Sequence, residues 1–513
     1  MSTLERYRPF IDDWGAFTAA ASREEPTVFR VRTGVVSEEV LLHRLTERGF
    51  RLASVDGMPG FHQVTDGPVP LSMTPEHWLG LVYVQQASTG VAAPALGPRP
   101  GERVLDLCSA PGGKTLHMAE LMEDTGCLVA NEISEGRIRG LLGNVYRLGN
   151  PGIMVVAGDG RDFPEGALFD RVLVDAPCTG EGTLRRRGGH PPEPSDSFVA
   201  HLARVQRALL TRAVRLTRAG GHVLYVTCTF APEENEAVVH DVLAQEPVEL
   251  EPLDLPVPHA PGLTRFEGRT FDDALEGAAR IYPHHLDSGG LFLARLRVLG
   301  GEGEAPAPDV PGGAPGGEGV AHGGEGGAHA EDAGWSAVPR VFPQGAWDPV
   351  EAGVEVDTDA EEALLSSGVA EVQERFGVTR DLSSLGWTMR GGRAWMHTLS
   401  EWPLAAWEVG DWRPISVGIR AVEFDSLERA RPTNDFLRWL DGGVTNRVLE
   451  VNDAELDALL RRAPVPTEVQ DRGPYALRFE GDVVGRGAVT KDGLKSEIPK
   501  ARAADLRRIR ESL

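Results

Sequence analysis

Two cysteines follow strands that we expect to be neighbours in one sheet. Cys178 stands in an Asp-Ala-Pro-Cys turn after one predicted strand, and Cys228 ends the next. A lone cysteine is most often a small buried hydrophobic residue, and Cys108 and Cys127 fit that description. Two thiols at adjacent strand ends of a parallel sheet face one cleft, so we expect Cys178 and Cys228 to be functional.

Residues at the other strand ends are typical of a site for a nucleoside-bearing cofactor. Glu132 follows the second strand, where a carboxylate can accept both hydroxyls of a ribose, and Asp159 follows the third. After the first strand, two glycines before a helix let a ligand approach the helix N–H groups, in a loop made of Cys108, Ser109, Ala110, Pro111, Gly112, Gly113 and Lys114. Taken singly, each signal also fits a plain turn or a solvated acid. Together they predict a cofactor site.

The thiols and the cofactor residues together fit methyl transfer to carbon 5 of a pyrimidine. That carbon is a poor nucleophile until a thiolate adds to carbon 6 and makes the ring enamine-like. A nearby acid helps by hydrogen-bonding the ring nitrogen, which favours the developing charge. Afterwards the C5 proton must leave and the thiol must be expelled, and a second thiol is a reasonable helper for that step. Asp175 joins the two cysteines as a candidate catalytic residue.

An alternation of apolar strands and helices positions these residues. The predicted strands are 103–108, 128–132, 153–157, 169–175 and 222–228, with a last strand at 290–298. Continuous apolar strands between helices predict a parallel sheet covered on both faces, an α/β fold. Ahead of it, residues 1–74 read as a small α+β unit, and 75–85 carries a helical pattern.

Residues 300–334 separate this N-terminal block from a C-terminal block, 335–513. The segment is rich in Gly, Ala, Pro and acidic residues and has no Lys or Arg, which predicts a disordered linker. Its His and acidic residues leave a metal-binding tract open as an alternative. The resulting domains are 1–74, 75–299, the linker 300–334, and 335–513.

The composition excludes several classes of protein. No run of 18 apolar residues suggests a membrane helix, the N-terminus does not resemble a signal peptide, and four cysteines without a CxxC pair favour a reducing cytoplasm. The 513-residue chain has a net charge of −24, which argues against nucleic-acid binding on average. Binding needs only a local basic face, however, and three of the four lysines lie at Lys491, Lys495 and Lys500.

Three motifs resemble those of the RNA 5-methylcytosine methyltransferases, over roughly residues 1–299. They are Cys-Ser-Ala-Pro-Gly-Gly-Lys-Thr from 108, Asp-Ala-Pro-Cys-Thr-Gly-Glu-Gly from 175, and Thr-Cys-Thr-Phe-Ala-Pro-Glu-Glu-Asn-Glu from 227. The resemblance implies a Rossmann-like sheet that uses S-adenosylmethionine. It makes Cys228 the nucleophile and Cys178 the residue that assists product release. It places the methyl donor on the loop 108–114 and on Glu132, Arg137, Asp159 and Asp175.

The stretch 487–500 resembles the PUA-like RNA-binding tail of the F-type bacterial small-subunit rRNA methyltransferases. This implies an RNA-binding C-terminal region beside an RNA-binding N-terminal unit. The family usually has Arg-Val-Asn and a Lys where this chain has Arg30-Val-Arg32, so the N-terminal RNA contacts stay in doubt. The basic run Arg185–Arg187 suits either a phosphate contact or a solvated loop.

Our leading hypothesis is S-adenosylmethionine-dependent methylation of cytosine C5 in 16S rRNA, or in the small ribosomal subunit. One alternative is the same chemistry on tRNA. Another is a ribosome-assembly factor that binds RNA without catalysis, which would have no need for Cys178, Cys228 and Asp175. We expect a monomer with no metal and no membrane contact.

Overall fold

The computed structural model describes residues 2–300, 358–403, 413–425 and 429–513, together with the single positions 335, 336, 338, 340 and 427. The predicted linker therefore lies outside the described residues, apart from Gly300. Within the described part, no helix combines the length and the apolar character that crossing a bilayer requires.

The N-terminal unit is an antiparallel sheet of four strands with helices around it. Its strand order is β2-β3-β1-β4, with β1 at Val28–Val31, β2 at Arg51–Ser54, β3 at Phe61–Asp66 and β4 at Val82–Val84. A 3-10 segment, Ser2–Phe10, precedes three helices, which are α1 (Trp14–Ala21), α2 (Glu38–Glu47) and α3 (Pro75–Leu79). Ser37 starts α2 by accepting a hydrogen bond from the Val40 N–H, as N-cap serines do.

The segment 75–85 is helical only in its first half. Helix α3 ends at Gly80, whose φ of +80° favours glycine, and a Cβ there would lie 2.3 Å from the carbonyl oxygen of Arg147. The chain then turns into β4, which pairs antiparallel with β1. The sheet of the N-terminal unit therefore extends beyond the expected boundary at residue 74.

The central domain is built on five parallel strands in the order β9-β8-β5-β6-β7. These are β5 (Arg103–Asp106), β6 (Cys127–Glu132), β7 (Ile153–Ala157), β8 (Phe169–Asp175) and β9 (Thr217–Thr227). The helices along this part of the chain are α4 (Ala87–Gly90), α5 (Ala92–Leu96), α6 (Gly113–Leu121), α7 (Glu135–Leu148), α8 (Asp196–Arg215) and α9 (Glu236–Leu243). Successive strand residues enter opposite cores: Leu105 packs in one and Val104 in the other. Both faces are thus covered, as the apolar runs predict.

Antiparallel strands follow the parallel ones along the chain. They are β10 (Val248–Glu251), β11 (Ala260–Pro261), β14 (Ala279–Ile281) and β15 (Leu291–Val298), with a small hairpin, β12 (Arg265–Phe266) and β13 (Arg269–Thr270), and helix α10 (Pro283–Leu286). Strand β15 lies antiparallel to β9 and carries β14 and β10 on its other edge. The Rossmann-like centre is as predicted, but the whole sheet is mixed and not purely parallel.

The C-terminal block forms two further sheets of four strands and a pair of two short strands, and it adds one strand to the central sheet. Its strands are β16 (Trp335–Ser336), β17 (Gly386–Arg390), β18 (Arg393–His397), β19 (Trp402–Pro403), β20 (Arg413–Val417), β21 (Ile419–Phe424), β22 (Ala430–Pro432), β23 (Val448–Glu450), β24 (Gly473–Phe479), β25 (Asp482–Thr490) and β26 (Gly493–Ser496). The sheet orders are β17-β18-β21-β22 and β23-β24-β25-β26. The helices are α11 (Thr358–Phe376), α12 (Asn434–Leu440), α13 (Asp453–Leu460) and α14 (Lys500–Ser512). The tail predicted to be PUA-like belongs to the second of these sheets.

The C-terminal block also completes the central domain. Strand β20 pairs antiparallel with β7 at the edge of the parallel sheet. Leu399, Trp402 and Val417 are buried in the same core as Leu105. The two blocks that the sequence separates at residue 300 therefore share one hydrophobic core.

Candidate active site

The two candidate catalytic cysteines lie together where β8 and β9 end. Their Sγ atoms are 3.4 Å apart, so one thiol can donate a hydrogen bond to the other. Both are free and partly buried. The parallel register places Asp175, at the end of β8, beside Val226 of β9, which brings the two following turns to one edge of the sheet. The structure therefore brings the two predicted thiols together.

The thiol pair is asymmetric in acidity. The hydrogen bond from Cys178 lowers the pKa of Cys228 against the opposing effects of burial and of the Asp175 charge, and the charge of Lys114 also lowers it. The same contact raises the pKa of Cys178, and burial raises it as well. Because the thiolate is the reactive form of cysteine, Cys228 is the better nucleophile of the two.

Close approach of the two turns depends on a glycine. The N–H of Gly182 donates to the Cys228 carbonyl oxygen at 2.8 Å, and the Gly290 N–H donates to the Gly182 carbonyl oxygen. A Cβ on Gly182 would lie 2.6 Å from the Gly290 carbonyl oxygen and 2.9 Å from that of Cys228. A larger residue at this position would push the Cys178 turn away from Cys228.

Lys114 and Asp175 form an ion pair beside the thiols. Lys114 Nζ lies 2.7 Å from Asp175 Oδ2, and the lysine side chain is only 11% exposed. Burial alone would lower the pKa of Lys114, but the charge of Asp175 and the hydrogen bond to it raise that pKa above the ordinary value. The lysine is therefore a stable cation next to Cys228.

A buried hydrogen-bond network attaches the predicted cofactor loop to the strands beneath it, β5 and β6. Thr115 Oγ1 donates to Asp106 Oδ2 at 2.6 Å, and Ser109 Oγ donates to the Asn131 carbonyl oxygen at 2.8 Å. Burial raises the pKa of Asp106 to about 7. Helix α6 begins at Gly113, and the N–H groups of its first turn have no partner inside the helix. They are the loop's means of holding an anionic group.

The remaining loop residues divide into buried and exposed positions. Cys108 packs against the core, and burial raises the pKa of its thiol, which makes it unreactive. Ala110 and Gly112 are buried, whereas Pro111 is exposed. Burial also raises the pKa of Cys127, in agreement with a purely structural role.

Glu132 is buried at the end of β6, and one of its oxygens is engaged only by an ion pair. Its Oε1 accepts a hydrogen bond from the Ser134 N–H at 2.9 Å, and Arg137 Nη1 lies 3.1 Å from Oε2. Within the described residues, Oε2 has no hydrogen-bond partner. Arg137 also donates to the Ala110 carbonyl oxygen, so it connects the loop to Glu132.

A second unsatisfied group, Gln85, lies beside the start of α6. Its amide Nε2 is 3.7 Å from the position of a Cβ on Gly113, and the ring of Tyr83 is 3.2 Å from the same point. Gln85 is buried, and neither of its amide atoms has a partner among the residues that the structure describes. Buried polar atoms without partners are costly, so Gln85 and Glu132 fit a ligand with hydroxyl and charged groups. The sequence did not predict a role for Gln85, because the whole segment 75–85 was assigned to a helix.

Asp159 follows β7 as predicted, but its carboxylate is engaged by a neighbour. It accepts hydrogen bonds from the backbone N–H and the guanidinium of Arg161, and these lower the pKa of Asp159. Its side chain is partly exposed. The contact with Arg161 would have to open for Asp159 to bind a cofactor.

Two buried glutamates that sequence reasoning missed hold the cysteine turns. Glu181 accepts hydrogen bonds from Tyr7 Oη and Thr229 Oγ1, and Glu234 accepts from the backbone and side chain of Thr179. Both acids belong to the motifs that contain the cysteines, which was the available signal. Nothing in the sequence pointed to Tyr7.

The basic run 185–187, which suits either a phosphate contact or a solvated loop, is buried at its first residue. Arg185 is 1% exposed and donates to the backbone of the N-terminal segment, so a phosphate contact by this residue is wrong. Arg187 is exposed at the end of the same run. Arg30 and Arg32 are also buried, and both pair with Glu120.

Asp12, His284 and His285 form a cluster that could hold a metal ion. Each imidazole Nε2 lies 3.0 Å from a different oxygen of Asp12. His285 Nδ1 accepts a hydrogen bond from the Tyr282 N–H, so neutral His285 carries its proton on Nε2. A histidine that binds metal through Nε2 normally donates a hydrogen bond from Nδ1. The cluster is therefore better explained as a set of hydrogen bonds that attaches Asp12 to the two histidines.

The comparisons with known proteins agree with these features. A family model described as 16S rRNA methyltransferase RsmB/F matches residues 93–297. The chain is 35% identical over 223 residues to the tRNA (cytosine(49)-C(5))-methyltransferase of Pyrococcus abyssi, covering 43% of this chain and 72% of that protein. The chain belongs to the RsmB/F family. The family suggested by the three motifs is thereby confirmed.

Other RsmB/F relatives match a smaller share of their own length. The ribosomal RNA small subunit methyltransferase F of Erwinia tasmaniensis is 38% identical over 256 residues, covering 48% of this chain and 51% of that protein. The human 28S rRNA (cytosine(4447)-C(5))-methyltransferase is 35% identical over 287 residues, covering 55% of this chain. The chain spans only 35% of that human protein's length.

A crystal structure confirms the Rossmann-like fold of the family region. It is described as a methyltransferase homolog protein from Pyrococcus horikoshii, and it aligns with a TM-score of 0.52 at 32% identity. The alignment covers 58% of this chain and 95% of that one.

Proposed function

We propose that this chain methylates carbon 5 of a cytosine in RNA and uses S-adenosylmethionine as methyl donor. The observation that carries the proposal is the pair of thiols 3.4 Å apart, with the acidified Cys228 beside Lys114. Relatives named as rRNA and tRNA cytosine-C5 methyltransferases support it.

Cys228 opens the reaction as a thiolate. Its Sγ forms a bond to C6 of the cytosine, and the C5–C6 electron pair becomes available at C5. The developing negative charge at ring nitrogen N3 is met by a hydrogen bond from the Lys114 ammonium, which Asp175 Oδ2 holds in place at 2.7 Å. The bound S-adenosylmethionine supplies the electrophilic methyl group.

Cys178 assists the last step as a hydrogen-bond donor. The C5 proton passes to water, its electron pair restores the C5–C6 double bond, and the C6–S bond breaks. The pair of electrons in that bond returns to Cys228 Sγ as a thiolate. The S–H of Cys178, 3.4 Å away, stabilises the departing thiolate.

The methyl donor would be held by residues that now have unsatisfied atoms or free N–H groups. Glu132 suits the ribose hydroxyls, and the first turn of α6 with Gln85 suits the amino-acid end. Arg137 would orient Glu132, and Asp159 would contribute once it is released from Arg161. The cytosine must enter a cleft that no duplex fits, so we expect a single-stranded or flipped base.

Single cysteine variants test the proposal. Cys178→Ala should attack and transfer methyl but release slowly, and so accumulate a protein–RNA conjugate on denaturing gels. Cys228→Ala should give neither methylation nor conjugate, and Cys127→Ala, whose cysteine is remote from the cleft, should behave like the unmodified chain. The reverse pattern would make Cys178 the nucleophile. Activity in both variants without a conjugate would overturn the mechanism.

The substrate that we propose is 16S rRNA, in the small ribosomal subunit. Similarity to proteins named small subunit methyltransferase F supports it. A tRNA substrate is the second candidate, because this chain covers 72% of the Pyrococcus abyssi tRNA enzyme. Bisulfite mapping of total RNA from a deletion strain separates the two, and loss of no methylated cytosine would favour the non-catalytic assembly factor.

Further properties stay part of the proposal. We assign RNA contacts to the N-terminal unit and to the PUA-like C-terminal sheet, β23-β24-β25-β26. A monomer without bound metal, located in the cytoplasm, completes the proposal.

A further inference from the structure

A buried carboxylate, that of Glu234, accepts hydrogen bonds from the turn that carries Cys178. Glu234 Oε1 accepts a hydrogen bond from Thr179 Oγ1 at 2.6 Å, and Oε2 accepts one from the Thr179 N–H at 3.0 Å. Gln206 Nε2 lies 2.8 Å from both Oε2 and the Pro177 carbonyl oxygen. The turn is therefore held on both sides of Cys178 by groups bound to one side chain.

Glu234 belongs to the other cysteine loop, six positions after Cys228. Its own carbonyl oxygen accepts a hydrogen bond from Tyr225 Oη at 2.6 Å, which ties it to β9. The next residue, Asn235, donates from Nδ2 to the Thr229 carbonyl oxygen. One rigid segment thus carries the nucleophile and reaches across to the turn of its partner thiol.

The contacts of Glu234 fit an ionised carboxylate, although burial raises its pKa and the hydrogen bonds from Thr179 and Gln206 offset that rise only in part. Donors approach both oxygens, and an acceptor-only group satisfies them all. Glu234 is fully buried, so its negative charge acts through little solvent. A second negative charge on Cys178, within the turn that Glu234 holds, is disfavoured, whereas Cys228 lies near the Lys114–Asp175 ion pair, in which the cation offsets part of the effect of the carboxylate.

We propose that Glu234 is a positioning residue that fixes the proton of the thiol pair on Cys178. It places the Cys178 S–H to point at Cys228 Sγ and leaves Cys228 as the thiolate. Its effect on catalysis rests on the proposed methyltransferase function, but its effect on the thiols does not.

Glu234→Gln removes the charge and can keep every heavy-atom contact. The amide oxygen replaces Oε2, and the amide N–H₂ donates to Thr179 Oγ1, whose hydroxyl can turn to Thr229 Oγ1 at 2.8 Å. Glu181→Gln is the matched control, because Glu181 is also buried, but its hydrogen bonds come from Tyr7, Thr229 and the Phe230 N–H and none comes from Thr179.

The test is the pH dependence of alkylation at each cysteine, followed by site-resolved mass spectrometry on the full chain with iodoacetamide. In Glu234→Gln, the alkylation midpoint of Cys178 should fall by about one pH unit or more, and that of Cys228 should rise. Glu181→Gln should leave the Cys178 midpoint unchanged. Unmoved midpoints in folded Glu234→Gln, or an equal shift in Glu181→Gln, would overturn the proposal.

Two further measurements keep the test decisive. Glu234→Asp retains the negative charge but moves it one methylene away from the Cys178 turn. It should therefore lower the alkylation midpoint of Cys178, by less than Glu234→Gln does. This variant replaces Glu234→Gln in the test if Glu234→Gln does not fold. With RNA, Glu234→Gln should prolong the protein–RNA conjugate at least severalfold. Shifted midpoints without any conjugate in Cys178→Ala would refute the proposed function alone.

Discussion

Trp78 and Arg502 hold each other through reciprocal hydrogen bonds. The indole Nε1 of Trp78 donates to the Arg502 carbonyl oxygen at 3.3 Å, and Arg502 Nη2 donates to the Trp78 carbonyl oxygen at 3.0 Å. The guanidinium also lies 4.3 Å from the indole centroid. Trp78 is in α3 and Arg502 is in α14, so this contact docks the C-terminal helix onto the N-terminal unit.

Arg502→Ala should lower the free energy of unfolding by about 1–3 kcal/mol. It removes one charge-assisted hydrogen bond and a desolvated cation–π contact, while the bond from Trp78 to the backbone remains. Arg508→Ala is the control, since Arg508 is 68% exposed with only a 3.5 Å pair to Asp505, and its effect should stay within about 0.5 kcal/mol. Urea unfolding followed by tryptophan fluorescence measures both. A urea midpoint for Arg502→Ala equal to that of the unmodified chain would show that the contact between Trp78 and Arg502 does not stabilise the fold.

Glu132→Ala should weaken S-adenosylmethionine binding at least about tenfold. Losing a charged acceptor from a buried site costs about 1.5–3 kcal/mol. Calorimetry on the full chain measures the affinity, with the exposed Glu39→Ala as control. Affinity equal to that of the unmodified chain would remove Glu132 from the cofactor site.

The four cysteines should differ in the pH at which iodoacetamide alkylates them. Cys228 should react at the lowest pH because its pKa is lowered, and Cys178 at a higher pH because its pKa is raised. Cys108 and Cys127, whose pKa values burial raises, should stay protected in the folded chain. In Cys178→Ala, the midpoint of Cys228 should move up, since its hydrogen-bond donor is gone. A midpoint that moves down would contradict the assignment of the proton to Cys178.

Lys491 and Lys500 should carry much of the RNA affinity of the C-terminal block. Both are exposed and without an ion pair among the described residues, whereas Lys495 pairs with Asp492 at 2.7 Å. The double variant Lys491→Ala/Lys500→Ala should bind RNA more weakly and reduce the slope of log K against log salt by roughly 1.5–2. Lys495→Ala should have a smaller effect. An unchanged salt slope in the double variant would exclude these lysines as phosphate contacts.

The sequence was sufficient for the parallel strands and for the clustering at their ends. Apolar runs such as Ile153–Ala157 are buried on both faces, and that pattern is local. Because parallel strands end at one edge, the positions of Cys178, Cys228, Glu132 and Lys114 after strands were enough to predict that they lie along one edge of the sheet.

Contacts between distant segments could not be read in the same way. Val82–Val84 becomes a strand because β1 offers an edge and Gly80 stops the helix, which outweighs the helical pattern. Arg185 looked like a surface cation because its run is basic. It is buried by carbonyl oxygens of the N-terminal segment, including that of Glu24, 161 positions earlier.

The edge position of β20 has a consequence for how the chain folds during synthesis. Strand β7 leaves the ribosome early, but its antiparallel partner β20, at residues 413–417, emerges only after the whole family region and the segment beyond it. Until then β7 is an open edge with unpaired backbone groups, which is a template for pairing with other chains. Nascent or truncated chains should therefore be prone to aggregate. By pairing with β7, strand β20 covers this open edge of the central sheet.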